Sequence, residues 1–487
     1  MLMPPQVGEL PAQPHYLKIY HFYREHILLG TMPIGAKLPS IRALALHLGV
    51  SRNPVEEAYA HLVAEGYIVN KPKSGYWVAS IPQLPSGLSP QSEEGTKATP
   101  ITDSGRSGEH EVVVDFAYDR IRSGSFPIAL WKKLTQHTLR EAGPELFEYG
   151  DRKGELQLRR CIQAYVRQHR GVVCDSQQII VTSGTQQSAL MIGLLLRSDR
   201  RPLGAEAAMH PGLHRILEQQ LQHGLVPVPL DEDGISCEAL ERLNTLYALC
   251  GVYVTPSHQF PYGSILPASK RARLLQWASD SGAWIIEDDY DSEFIYDGQP
   301  LPALQGMDRH GRVIYMGTFS KALAPALRLS YLVLPPELLA RYEEEFRDYD
   351  GTASRVIQVT MARFMAEGLL DRHIRKMRSV YSLNRKRLLD AVACYMKGKA
   401  NVSGAGSGLH ARLSVQSLGL PTEELVKRGR LAGVGIRAVT DFHHAPAATS
   451  ATFCEPQGEV EFVIGYGGLS GAQIEEGIRK LAEVWGM

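Results

Sequence analysis

The chain has 487 residues, 44% of them hydrophobic and 21% charged, with 52 Lys+Arg balanced by 52 Asp+Glu. Such a length calls for two or three domains, and such a composition excludes wholesale disorder. Zero net charge excludes a polybasic nucleic-acid coat or a membrane-surface protein, so any DNA contact has to come from a local patch.

Residues 1–18 are Pro-rich and lack a basic segment followed by an apolar one, so no signal peptide is expected. Residues 16–30 place Leu17, Tyr20, Tyr23, Ile27 and Leu28 on one side of a helix that stops at Gly30. A second helix opens at Pro39-Ser40, runs through His47 and closes at Gly49. Ser51 caps a third over residues 52–65, with Val55, Ala58, Tyr59 and Leu62 as its buried face and Gly66 as its stop. Two helices joined by a turn containing Gly make a helix-turn-helix. Residues 67–70 and 76–78 alternate around Lys73-Ser74-Gly75 like a hairpin, which would be a wing.

DNA binding needs a helix N-terminus aimed into the major groove with a long polar side chain on it. Arg52, between Ser51 and Asn53, is placed to reach a guanine edge or a phosphate. Lys37, Ser40 and Arg42 would hold the backbone, while Lys71, Lys73 and the Gly75 amide serve the wing. A solvated helical face explains any one of these charges; the order of the whole string decides. It runs G-x-x-x-x-G-x-K-L-P-S-x-R-x-L-A-x-x-L-G-V-S-R-x-x-V-x-x-A-Y-x-x-L-x-x-E-G-Y from Gly30 to Tyr67. That string resembles the winged helix of GntR-type repressors. The resemblance implies binding to a double-stranded DNA operator, usually as a dimer on paired half-sites.

Residues 80–111 are rich in Pro, Ser, Gly and charge and show no hydrophobic period. Such a segment cannot bury enough surface to offset its ordering entropy, and it is expected to be a flexible linker. Beyond it, helical stretches alternate with short apolar runs at 178–182, Ala207, 225–228, 249–255, 284–287, 313–317 and 329–334. Alternation of this kind indicates an α/β domain with a mostly parallel sheet.

The densest chemistry lies between Trp284 and Leu334. A buried strand runs into Asp288-Asp289-Tyr290-Asp291; a second ends in Thr318-Phe319-Ser320-Lys321, with Arg328 seven residues further on. A carboxylate and a phenol at one strand end, beside a lysine flanked by hydroxyls and an arginine, suit pyridoxal 5′-phosphate (PLP). The lysine bonds the cofactor aldehyde, the carboxylate keeps the pyridine nitrogen protonated, and hydroxyls, amides and the arginine hold the phosphate.

I-x-E-D-D-Y-D-S-E-F followed by Y-x-G-T-F-S-K…P-x-L-R-L resembles the fold-type-I aminotransferase domain in its MocR/GabR regulator form. By that resemblance Lys321 is the Schiff-base lysine, Asp288 the pyridinium partner and Tyr290 the donor to the ring oxygen. Thr318, Ser320 and Arg328 hold the phosphate, together with the strand–turn–helix of Ser183, Gly184 and Thr185. Tyr149, in Y-G-D-x-x-G-x-x-x-L-R, matches the tyrosine that reaches the partner subunit's phosphate, which implies a homodimer. His258, in the segment 255–261 beside the ring, either faces the cofactor or is structural.

Two departures matter. Relatives that bind amino acids carry an Arg in an R-L-G-F/Y stretch that grips the substrate carboxylate; here the stretch is 463–466 and begins with Val463. The family's E-x-P-x-Y motif has become 206–210, placing His210 where a phenol would lie over the cofactor ring. Losing a bidentate clamp removes a charge-assisted pair, so ordinary transamination of an α-amino acid is not expected. Arg437 is a candidate substitute.

The expected architecture is a small α+β winged helix (1–79), a linker (80–111) and a large α/β fold-type-I domain with its C-terminal subdomain (112–487). The expected function is a PLP-dependent transcriptional regulator whose effector is PLP itself or a small amine. An amino-acid effector, an active aminotransferase with a DNA-binding tether and a cofactor-free scaffold are the alternatives. The six Cys contain no CxxC, which fits a reduced cytosolic protein without structural zinc, and no metal ligand set is expected. The longest apolar runs, such as 189–196, are too short to span a bilayer, so a soluble cytoplasmic protein is expected.

Overall fold

The computed structural model describes residue 4 and residues 14–80, 112–122, 124–298, 301–416, 419–444 and 459–487. The chain falls into two compact units, Met1–Ser107 and Gly108–Met487. Except for Ser80, the linker expected at 80–111 lies outside the described residues.

In the first unit, α1 (His15–Leu28), α2 (Ile41–Leu48) and α3 (Arg52–Ala64) precede a hairpin of β1 (Ile68–Lys71) and β2 (Gly75–Val78). The core joins Ile19, Tyr23 and Ile27 of α1 to Leu44 and Leu48 of α2, Val55, Tyr59 and Leu62 of α3, and Ile68 and Val78 of the hairpin. On α1 the buried stripe is therefore 19, 23, 27, at helical spacing, and Leu28, expected on it, is exposed. Ser40 caps α2 by accepting the Ala43 N–H, and Gly49, at φ +65°, ends it. Ser51 occupies the capping position of α3 but makes no capping bond. The third helical residue is Pro54, which has no N–H to donate, so the expected cap fails there.

The second unit is built on a seven-stranded sheet: β3 (Ile179–Thr182), β4 (Leu203–Glu206), β5 (Leu225–Val228), β6 (Gly251–Val254), β7 (Trp284–Asp289), β8 (Val313–Thr318) and β9 (Ser330–Val333). Their spatial order is β3-β9-β8-β7-β6-β4-β5. β9 runs antiparallel to both neighbours, and every other pairing is parallel. All residues of β7 and β8 are buried, as a sheet covered on both faces requires, which accounts for the apolar runs at 284–286 and 313–316; Glu287, Asp288 and Asp289 complete β7 as buried acids. The strand sought at Ala207 ends just before it. Gly204 and Glu206 interrupt its apolar character: the glycine allows Leu249 and Val228 to pack close, and the glutamate accepts from the Thr255 amide and hydroxyl. Two helices start at the C-terminal ends of strands, α4 (Thr185–Leu196) after β3 and α5 (Pro211–Gln220) after β4.

A second, antiparallel sheet follows: β10 (Ala400–Ser403), β11 (His410–Gln416), β12 (Arg437–Ala438) and β13 (Glu459–Gly465), in the order β10-β11-β13-β12. Leu413, Phe462 and Ile464 of this sheet pack with Leu388 of the helix Leu369–Tyr395 and with Ile478 and Trp485 of the last helix. The strand-like segment 433–436 pairs over Val434–Gly435, in parallel, with Val114–Asp115. Among the described residues, no helix is long and apolar enough to cross a membrane.

Candidate functional site

Parallel strands end together, and the loops that leave those ends surround a cleft. Here the cleft measures about 780 Å³ and is lined by Thr185, His210, Asp288, Tyr290, Thr318, Ser320, Lys321 and Arg328, all expected there. It is also lined by Tyr118, Asp119, Tyr253, Phe260, Asp291 and His410.

At the end of β7, Asp288 is buried. Its Oδ2 accepts the Tyr253 hydroxyl at 2.6 Å, whereas Oδ1 is buried with no partner. Burial pushes this carboxyl up to about 7, against the Tyr253 hydrogen bond, which pulls it down. Lys321 follows β8, and its Nζ donates to the Tyr118 carbonyl at 2.7 Å. Burial draws the Lys321 ammonium below its ordinary range, opposed by the charges of Asp291 and Asp119. The Tyr290 hydroxyl donates to the His258 carbonyl at 2.8 Å.

The polar groups at the start of α4 converge with those after β8. Gly184, at φ +109°, precedes the helix, and a Cβ there would collide with the Arg328 guanidinium. The Ser183 hydroxyl is 3.0 Å from Gln187 Oε1. Thr318 Oγ1 accepts from the Ser320 amide at 3.2 Å and the Ser330 hydroxyl at 2.7 Å. Free helical N–H groups, hydroxyls and a guanidinium in one place make an anion site.

Elsewhere in the cleft, His210 caps α5: its Nδ1 accepts from Gly212 N–H at 3.1 Å, which leaves Nε2 to carry the ring proton. Burial and the charge of Lys321 push it below the ordinary histidine range. His258 is absent from the cleft wall; it is buried against Asp291 and the Gly404 carbonyl. Tyr149 lies apart from the cleft, 87% exposed.

Val463, on β13, is 1% exposed among apolar neighbours that include Phe442. Its register partners on the two flanking strands are both arginines, Arg412 of β11 and Arg437 of β12. Arg412 lies over the Tyr262 ring and pairs with Glu461 at 3.2 Å. Arg437 lies over the Phe442 ring, with Asp441 at 3.7 Å.

On the first unit, Lys37, Ser40, Arg42, Ser51, Arg52, Asn53 and Lys73 are all exposed, and Gly75 turns the hairpin at φ +94°. The Lys37 and Lys71 ammonium groups lie 5.4 and 5.0 Å from the centre of the Trp77 ring, so one indole gathers two cations beside the wing.

Residues 15–78 match the family model for bacterial regulatory proteins of the gntR family, and residues 113–405 match that for aminotransferase class I and II. Together they define a transcriptional regulator in which a DNA-binding winged helix precedes a domain of the fold on which aminotransferases carry PLP. The solved multiple substrate aminotransferase of Thermococcus profundus matches 77% of this chain and 92% of its own, at 25% identity and a TM-score of 0.68. Among curated relatives, a Bacillus subtilis protein named an uncharacterized HTH-type transcriptional regulator, YdeL, is 37% identical over 97% of both chains. The probable rhizopine catabolism regulatory protein MocR of Rhizobium meliloti is 32% identical over 96% of this chain and 93% of its own. The HTH-type pyridoxine biosynthesis transcriptional regulator PdxR of Corynebacterium glutamicum is 33% identical over 80% of this chain and 81% of its own. The chain belongs to the MocR-type transcriptional regulators.

Proposed function

We propose that this regulator binds PLP in the large cleft and converts its occupancy into a change in operator affinity, with PLP itself or a small amine as the signal. Residues 1–79 would bind DNA, 80–111 tether, and 112–487 sense. One observation carries the cofactor reading: the buried, unpartnered Oδ1 of Asp288, whose other oxygen is held by Tyr253. An acceptor stranded in this way fits a protonated ring nitrogen. The collision awaiting a Cβ at Gly184 marks a second fit, because the glycine keeps room for Arg328 and an anion together.

When bound, PLP supplies an aldehyde that bonds amines reversibly and a ring that withdraws electrons. Lys321, its proton weakened by burial, presents an amine to the cleft. Asp288 would pair with the ring nitrogen's proton, and the Tyr253 hydroxyl, by donating to Asp288, favours its ionised form against burial. Thr185, Thr318, Ser320 and Arg328 orient the phosphate, with Ser183 and Gly184 shaping the turn. Tyr149 is free to reach a second copy of the chain in a homodimer. Arg52 and its exposed neighbours hold DNA. Occupancy alters DNA binding only by stabilising one arrangement of the winged helices over another.

PLP as the signal is supported by the buried valine at 463, which leaves an α-carboxylate without its usual partner, and by the relative whose name refers to pyridoxine biosynthesis. An amino-acid effector is favoured by one placement, Arg437 at the register position beside Val463. A DNA-shift titration with and without PLP tests the first reading: PLP alone alters operator affinity in the wild type and not in Lys321→Ala. Equal affinities in the wild type would overturn it. Turnover of a panel of amines to aldehydes or keto acids would instead mark a working aminotransferase.

A further inference from the structure

Set partly in the cleft wall, His258, Asp291 and His410 form a group to which the cofactor reading gives no part in holding PLP. They are 1%, 1% and 2% exposed, come from three distant parts of the chain, and bring one ligand atom each within 4.8 Å of the others. Hydrogen bonding fixes which ring nitrogens are available. His258 Nε2 lies 3.2 Å from the Gly404 carbonyl, where only an N–H can serve, so Nδ1 is the nitrogen turned to Asp291 Oδ2 at 2.9 Å. His410 Nε2 is buried with no hydrogen-bond partner, so it is free to serve as a ligand atom. Asp291 Oδ1 is likewise buried and unpartnered.

With the Nε2 proton turned to Gly404, His258 Nδ1 faces Asp291 Oδ2 lone pair to lone pair, with the Tyr290 hydroxyl 3.2 Å away, and a cation bound by both atoms relieves that opposition. A proton there would answer that one gap and leave His410 Nε2 and Asp291 Oδ1 stranded. A metal ion answers all three. The Gly404 carbonyl on the far nitrogen of His258 is the outer-shell pattern that orients a metal-bound histidine. The surroundings are stiff: Tyr296 and Tyr466 both donate to the Gly408 carbonyl at 2.9 Å, and a Cβ at Gly408 would strike His258 and Asp291.

We propose that His258 Nδ1, His410 Nε2 and the Asp291 carboxylate bind a divalent transition metal, with Zn²⁺ the best match to two imidazoles and one carboxylate. Asp291 and His410 also line the cleft, so the remaining coordination position opens toward it. His410 lies two residues along β11 from Arg412, the register partner of Val463, and so shares its face of the sheet. The metal thus provides an anchor for an anionic donor of the effector near the position where Val463 stands in place of an arginine. The ligand set itself does not depend on the PLP reading.

The test uses the full-length protein stripped by a chelator, then dialysed against Zn²⁺ alone and analysed for bound metal, with Co²⁺ as a spectroscopic substitute. One Zn²⁺ per chain is expected, with Co²⁺ giving intense visible bands of low coordination number. His410→Asn and Asp291→Asn should each weaken binding by about 100-fold or more. The stacked pair His214 and His444, with ring centres 3.8 Å apart, is the competing imidazole site. The double variant His214→Ala/His444→Ala should bind as the wild type does. No stoichiometric metal in the wild type, loss of it in that double variant, or full retention in His410→Asn would overturn the assignment. Circular dichroism and melting of each variant separate lost ligation from lost fold; if His410→Asn is unfolded, the Co²⁺ spectrum of the wild type decides.

Discussion

The cofactor end of the large cleft and strand β13 differ in the polar groups they offer a ligand. At the first, Lys321, Asp288, Thr318, Ser320 and Arg328 line the cleft, with a carboxylate oxygen left open. At the second, outside the cleft wall, a buried valine begins the stretch in which the resemblance expects a carboxylate clamp, and the arginines on the flanking strands engage Glu461 and Asp441. Binding a cofactor requires only the first. Turning over an α-amino acid requires both, because the substrate must be oriented while its bonds are remade. A protein with the first and without the second would be suited to sensing, as proposed above.

Breaking the cofactor end should have the largest consequences. Asp288→Asn removes the charge opposite the ring nitrogen and should weaken PLP binding by about 2–3 kcal/mol, roughly 30- to 150-fold, in an absorbance titration. Arg328→Ala should weaken PLP binding by about 2 kcal/mol, with a smaller effect on pyridoxal, which has no phosphate. Tyr253→Phe should cost about 1.5 kcal/mol, roughly tenfold. The sign follows from the donor's role: without it, burial drives the Asp288 carboxyl above about 7, so less of it is ionised at neutral pH to pair with a ring cation. Beside β13, Arg437→Ala should leave PLP affinity unchanged within about twofold. A response to an amino acid that vanishes in this variant would sharpen the contrast by assigning the effector's carboxylate to Arg437. Smallest of all, Arg52→Ala should lower the slope of log affinity for DNA against log salt by about one if it contacts a phosphate.

Much of the architecture is legible because it is local. Gly49 and Ser40 mark the limits of α2 through backbone geometry and a cap three residues long. β7 and β8 announce themselves through the apolar runs 284–286 and 313–316 because both sheet faces are covered, and Asp288 and Lys321 lie shortly after those runs. What escaped reading depends on distance. Tyr253 stands on β6, and nothing along the chain ties its hydroxyl to Asp288 on the neighbouring strand. His410 reaches the cleft from the C-terminal sheet, far along the chain from His258 and Asp291. The sequence of segment 255–261 does not say which side chain faces the cleft; the loop turns His258 to Asp291 while Phe260 takes the cleft wall. The failed cap at Ser51 was present in the sequence, in the proline three residues later.

The contrast between the two regions is tested most directly by a visible absorption titration of the purified protein with PLP, followed by a panel of α-amino acids and amines, with Lys321→Ala in parallel. A lysine-dependent band that PLP builds and that α-amino acids do not bleach is expected. Absence of the band, or its equal appearance in Lys321→Ala, would contradict the intact cofactor end; catalytic bleaching by an α-amino acid would contradict the missing clamp.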